Sequence, residues 1–119
     1  MWIMVAGPYG LVSQPPEQRR RNLEELAAAY AVYKKGHVPV IGLNLALPIT
    51  LDLAVAFWNQ DVTTNQLQLV DRTSLAAAER CEAVLRIGGP STGADDEVRV
   101  VAARGGPVYR SIEEIPDEM

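Results

Sequence analysis

Gly88-Gly89-Pro90-Ser91-Thr92-Gly93-Ala94-Asp95-Asp96-Glu97 lies between a short apolar run, Ala83 to Ile87, and a helical pattern that reaches Arg104. A strand feeding a glycine-rich turn that opens a helix is the building unit of open α/β sheets. Ligands of such sheets sit at strand carboxyl ends, beside helix N-termini. The same alternation recurs on either side of this turn. Trp2 to Ala6 is a continuous apolar run ended by Gly7-Pro8, the pattern of a buried parallel strand entering a loop. A long helix follows Pro15-Pro16, with Leu23, Leu26, Ala27, Tyr30 and Tyr33 on one face and Gly36 as its stop. His37 to Ile41 reads as the next strand, which completes a strand–helix–strand unit with a right-handed crossover.

Further along, Gly42 to Pro48 reads as loop and Ile49 to Trp58 as a short, mostly apolar helix. After a polar break, a helix starts near Thr63 or Thr64 and carries Leu67, Val70, Leu75 and Ala78 on its apolar side. Past the opening turn, the pattern predicts a helix over 95–104 with Asp95 and Asp96 as cap residues, then Gly105-Gly106 and a strand at Pro107-Val108-Tyr109. Ser111 with Glu114 reads as a capping box, and Pro116 to Met119 as a frayed tail. The expectation is a single domain over 1–119: a small doubly wound, Rossmann/flavodoxin-like α/β fold with a parallel sheet of four or five strands and helices on both faces. In that arrangement the loops after the first and third strands face one another across the topological switch point.

Composition removes several function classes. The net charge of −4 argues against a nucleic-acid partner, whose phosphates need clustered Lys and Arg. The single cluster, Arg19-Arg20-Arg21, is flanked by Glu17, Glu24 and Glu25 and reads as a solvated helix face. One cysteine, Cys81, and one histidine, His37, leave no disulfide framework and no Cys/His zinc site, and they fit a cytoplasmic protein. His37, at a strand start, reads as structural. The uncharged stretch Val38 to Trp58 contains Pro39, Pro48, Asn44 and Asp52, which disfavours a membrane span. Gly7-Pro8-Tyr9-Gly10 lacks the dinucleotide-binding spacing, no phosphate-binding loop of the Gly-Lys-Ser/Thr kind occurs, and a single His makes a Ser-His triad implausible. Carboxylates remain: Asp71, Glu82, Asp95, Asp96 and Glu97. Pairs of carboxyl groups are what glycosyl transfer requires, one attacking the anomeric carbon and another moving a proton.

Ala6-Gly7-Pro8-Tyr9, Asp71, Cys81-Glu82-Ala83-Val84, Ser91-x-Gly93-x-x-x-Glu97 and Gly106-Pro107-Val108-Tyr109 together resemble the nucleoside 2-deoxyribosyltransferase superfamily. That group includes the 2-deoxynucleoside 5-phosphate N-hydrolases. The similarity runs over nearly the whole chain, is weakest between Gly42 and Leu69, and is most specific at the Ser-x-Gly-x-x-x-Glu element. The resemblance implies cleavage or transfer of an N-glycosidic bond of a nucleoside or nucleoside 5-monophosphate, with no metal and no cofactor. By position it implies Glu97 as nucleophile, Asp71 as a carboxylate near sugar and base, and Glu82 where the family has a second aspartate. It also implies Ser91 at the 5-phosphate or 5-hydroxyl end, and Gly7, Pro8 and Tyr9 lining the pocket.

Gly93 permits close backbone approach to a sugar or phosphate. A first-turn helix position would hold Glu97 ionised, whereas the adjacent Asp95 and Asp96 should raise its pKa and repel a substrate phosphate. Asn44 either hydrogen-bonds a base or caps the next helix. A non-catalytic nucleotide-binding module on the same fold is the alternative reading. The apolar Leu43 to Trp58 region is a candidate subunit interface, which points to a homodimer or a larger homo-oligomer.

Overall fold

Four parallel strands, β1 (Trp2–Ala6), β2 (Val38–Val40), β3 (Ala83–Arg86) and β4 (Val108–Tyr109), form one sheet in the order β2-β1-β3-β4. The computed structural model describes residues 1–8, 16–17, 20, 27–59 and 61–118. Most of the first predicted helix therefore lies outside the described residues, as do Tyr9 and Met119. Pro16, Glu17 and Arg20 are helical, and the helices with described bounds are α1 (Ala28–Lys34), α2 (Gly42–Ala46), α3 (Leu51–Asn59), α4 (Thr64–Arg80) and α5 (Thr92–Ala103). This is the small doubly wound, Rossmann/flavodoxin-like α/β fold. No described helix is long and apolar enough to cross a membrane.

Strand periodicity splits the core in two. Ile3, Val5, Ala83 and Leu85 point to the face covered by α1, where they meet Val32 and Ile115. Met4, Ala6 and Val84 point to the other face, against Ala78 of α4 and Ala94 and Val101 of α5. Both faces are covered, which is why these strands read as unbroken apolar runs and not as alternating ones. The helix between β1 and β2 lies on one face, and those leading to β3 and β4 lie on the other. Right-handed crossovers require this when the chain reverses its direction across the sheet.

Several boundaries differ from expectation for identifiable reasons. Gly42 to Pro48 is not loop: it forms α2 and a 3₁₀ turn over Leu47–Ile49, because Leu43 and Ala46 at helical spacing pack with Leu53 and Val70 into a third cluster. Gly42 opens α2 in direct contact with α4, where an added Cβ would collide with the Ser74 side chain. The start of α4 follows the sequence closely: Thr63 Oγ1 accepts from Gln66 N at 3.2 Å and Gln66 Oε1 accepts from Thr63 N at 2.8 Å. The Ser111 capping box does not form in the short Ile112–Glu114 turn; Glu114 Oε2 accepts from Arg110 N instead, at 2.9 Å. Nor are residues 116–118 frayed. His37, buried as a structural residue, holds Pro116 O through Nε2 at 2.7 Å, with Nδ1 facing the Met1 amine at 2.8 Å. Glu118 N donates to Lys35 O at 2.7 Å.

Gly42→Ala is expected to destabilise the fold by about 1–3 kcal/mol through overpacking. Thermal unfolding checks this, and Gly42→Ala combined with Ser74→Gly should recover more stability than the two single changes predict by addition.

Candidate functional site

The switch point between β1 and β3 opens into a cavity of about 380 Å³ at the carboxyl ends of the strands. Gly7 and Pro8 after β1 form one side of it. Gly88, with φ of 79°, turns the chain out of β3, a backbone conformation that glycine adopts without the penalty of a Cβ. The chain then reaches Ser91, which caps α5 by accepting from Ala94 N through Oγ at 3.2 Å. Helix α5 thus starts at Thr92, three residues before the expected Asp95, and Asp95 and Asp96 are not its caps. Asp95 instead pairs with Arg86 at 3.0 Å, and Asp96 pairs with Arg99 one turn along the helix.

The cavity has two chemically different walls. Ile41, Leu43, Leu67, Val70 and Leu75 supply apolar surface, while Asp71, Ser74, Ser91, Thr92, Asp96 and Glu97 supply polar groups. Gly93 lies in the wall with nothing within 4 Å of where a Cβ would stand, so packing within the protein does not demand glycine there. Among the described residues no three His, Cys, Asp or Glu side chains gather in a way that could hold a metal ion.

Glu97 is the unusual group. It lies in the second turn of α5, beyond the free N–H groups of the helix start, with 9% of its surface exposed and Oε2 buried without a hydrogen-bond partner. Burial pushes its pKa up to about 8; the Arg86 guanidinium pulls it down, and the Asp71 carboxylate adds to the rise. This corrects both expectations for Glu97. The helix terminus does not hold it ionised at neutral pH, and the perturbing carboxylate is Asp71 from α4, whereas the adjacent Asp95 and Asp96 are each neutralised by an arginine.

Of the sequence-predicted residues, Gly7, Pro8, Asp71, Ser91, Gly93 and Glu97 come together around this cavity. Tyr9 lies outside the described residues. Glu82 and Asn44 are not in the cavity wall. Glu82 precedes β3, so in a parallel sheet it lies a strand length, at about 3.3 Å per residue, from the carboxyl end. There its Oε1 accepts from Trp2 N at 3.0 Å. Asn44 sits exposed within α2, whose existence removed the loop that was to carry it. Sequence reasoning missed Arg86, read as part of an apolar strand. A lone arginine in such a run is the signal, since a buried cation requires partners. The apolar wall from α4 was visible only as ordinary core periodicity. In comparisons with known proteins, no family model, no curated protein and no solved structure matches the chain.

A carboxyl held protonated in the folded state weakens folding as pH rises. The unfolded chain releases the Glu97 proton near 4.5 and the folded one near 8. The contribution is therefore full below about pH 4.5 and is lost progressively up to about 8. Glu97→Gln, which cannot ionise, is expected to raise stability at pH 8 by about 4 kcal/mol. Urea unfolding at pH 5 and pH 8 checks this, with little difference between the two proteins expected at pH 5.

Proposed function

We propose that the chain cleaves or transfers the N-glycosidic bond of a nucleoside or nucleoside 5-monophosphate, with Glu97 attacking the anomeric carbon. The observation that carries this reading is a buried, unpartnered carboxyl, Glu97, facing one cavity together with a second carboxyl, Asp71. The apolar wall suits the flat face of a base, and the polar wall with the α5 start suits a sugar and its 5-end. Glu97 holds a proton in the free protein, so attack requires that proton to pass to Asp71. Glu97 then forms an ester to the anomeric carbon as the carbon–nitrogen bond breaks, and Asp71 delivers the proton to the departing base nitrogen. Water, or the nitrogen of a second base, attacks the ester, gives up its proton to the carboxyl pair and frees Glu97. These steps use carboxyl groups alone, without metal or cofactor.

Base release from a panel of nucleosides and 5-monophosphates tests the proposal. Glu97→Ala is expected to reduce release by about 10³-fold or more, and Asp71→Asn by about 10²-fold. Because the proton that leaves Glu97 is the one delivered to the base, kcat/KM should be level from neutral pH to about pH 8 and fall about tenfold per pH unit above it. Release from no substrate overturns the enzymatic reading.

The proton on Glu97 also favours a second reading, a non-catalytic nucleotide-binding module. A protonated carboxyl in a dry site donates a hydrogen bond to a base edge. Thermal stabilisation by a nucleotide without turnover supports that reading, and base release excludes it.

Self-association belongs to the same proposal. The segment that lines the cavity through Gly42 and Leu43 leaves Leu45, Ile49, Leu51 and Val55 exposed. A second copy of the chain is the proposed occupant of that surface. A dimeric or larger mass by light scattering, reduced to the monomer by Leu51→Glu, is expected; a monomeric wild type overturns it.

A further inference from the structure

Arg86 and Glu97 are the two buried charged side chains of opposite sign among the described residues, and both belong to the face of the sheet covered by α4 and α5. Arg86 ends β3 with 8% of its surface exposed, in register with Ala6. Every guanidinium nitrogen has a partner. Nε donates to Asp95 Oδ1 at 3.0 Å, one terminal nitrogen donates to Ile87 O, and the other donates to Gly89 O at 2.8 Å. The side chain therefore fastens the turn after β3 to Asp95 of α5, while Glu97 Oε2 stays unpartnered.

We propose that Arg86 is the positioning residue of this site: it clamps the Gly88-Gly89-Pro90 turn onto α5 and supplies the fixed positive charge against which Glu97 ionises. The mechanical part follows from the three bonds, which tie the strand end, the turn and the helix to one rigid planar fork. The electrostatic part follows from placement. A buried carboxylate forms at tolerable cost only beside a countercharge that is already oriented, and the Arg86 charge is held in place by bonds to other groups. The groups that act on Glu97 from the surrounding elements are Arg86 from β3, which favours its ionisation, and Asp71 from α4, which opposes it. Cys81, at the end of α4, is a buried thiol that in turn feels Glu97. Asp96 on α5 lines the same cavity but is paired with Arg99. Among these groups Arg86 alone carries positive charge into the buried layer.

The effect on rate rests on the proposed role of Glu97, but the effect on its ionisation does not, so the test reads the two separately. The Glu97 carboxyl is titrated by carbon-13 NMR in the wild type, Arg86→Met, Arg86→Lys and Asp95→Asn, and kcat/KM is measured against pH where turnover exists. In Arg86→Met the Glu97 titration is expected to move up by about one pH unit or more, and the falling limb of kcat/KM to move with it. In Arg86→Lys the titration stays near the wild-type position while amide exchange of the Gly88-Gly89 turn accelerates, since charge is kept and the fork is lost. Asp95→Asn, on the exposed side of the pair, weakens one of the three bonds of the fork, keeps the protein folded should Arg86→Met not fold, and is expected to accelerate amide exchange of the turn while the Glu97 titration stays near the wild-type position. A Glu97 titration that does not rise in a folded Arg86→Met, or in Arg86→Gln where Arg86→Met does not fold, overturns the proposal whether or not the protein releases any base, and unchanged turn exchange in Asp95→Asn overturns the clamp. Unchanged turn exchange in Arg86→Lys overturns the clamp.

Discussion

Backbone hydrogen bonds between β1 and β3, in the register Ile3–Ala83 to Ala6–Arg86, join two strands separated by most of the length of the chain. Because β2 lies on the far side of β1 and β4 on the far side of β3, this pairing marks the place where the chain reverses its direction across the sheet. The loops leaving β1 and β3 diverge there to opposite faces, and a crevice opens between them. Everything assigned to the site hangs on that crevice: Gly7 and Pro8 on one strand end, the Gly88 turn and Ser91 on the other, and α4 closing the side. A one-residue slip of β1 on β3 would exchange the two faces of the core. It would turn Arg86 away from α5 and leave Glu97 without its countercharge.

The carboxyl of Glu97 illustrates how a fold can hold a group in an unfavourable state. Its position in the second turn of α5 removes it from the helix-terminal N–H groups, and burial removes it from water. The protonated form is then preferred at neutral pH, at the expense of stability as pH rises. Perturbed carboxyls of this kind concentrate at functional sites, because a group tuned for proton transfer or attack must differ from one free in solvent. Asp71 and Arg86 approach Glu97 from different elements and act in opposite senses.

Stability and site geometry are also coupled at the opposite end of the molecule. Lys35 and His37, between α1 and β2, hold residues 115–118 through backbone carbonyls and the Glu118 amide. Ile115 is buried with Ile3 and Leu85 beneath that strap. The amino ends of the strands are closed by structural contacts of this kind, Glu82 to Trp2 among them. The carboxyl ends are left for the cavity.

Periodicity and turn residues in the chain by themselves determined the strands, the stops at Gly36 and Gly105, the Thr63 start of α4 and the doubly wound class, because those signals act between residues near one another. The sequence brought Ser91, Gly93 and Glu97 to one strand-to-helix junction, but it put the helix start at Asp95 and Glu97 in the first turn, whereas α5 starts at Thr92 and carries Glu97 in its second. Where α2 forms could not be read in this way, because its helical state depends on burying Leu43 and Ala46 against Leu53 and Val70. Glu82 and Asn44 are the clearest cases of what sequence pattern leaves open: both are polar and near the right elements, yet one lies at the wrong end of β3 and the other on an outer helix face. Only the tertiary structure decided that Glu97 is protonated, that Asp71 and not Asp95 or Asp96 perturbs it, and that Arg86 opposes it. Ionisation depends on burial and on charges brought in from α4 and β3, and those distances are set by the packing of elements remote in sequence.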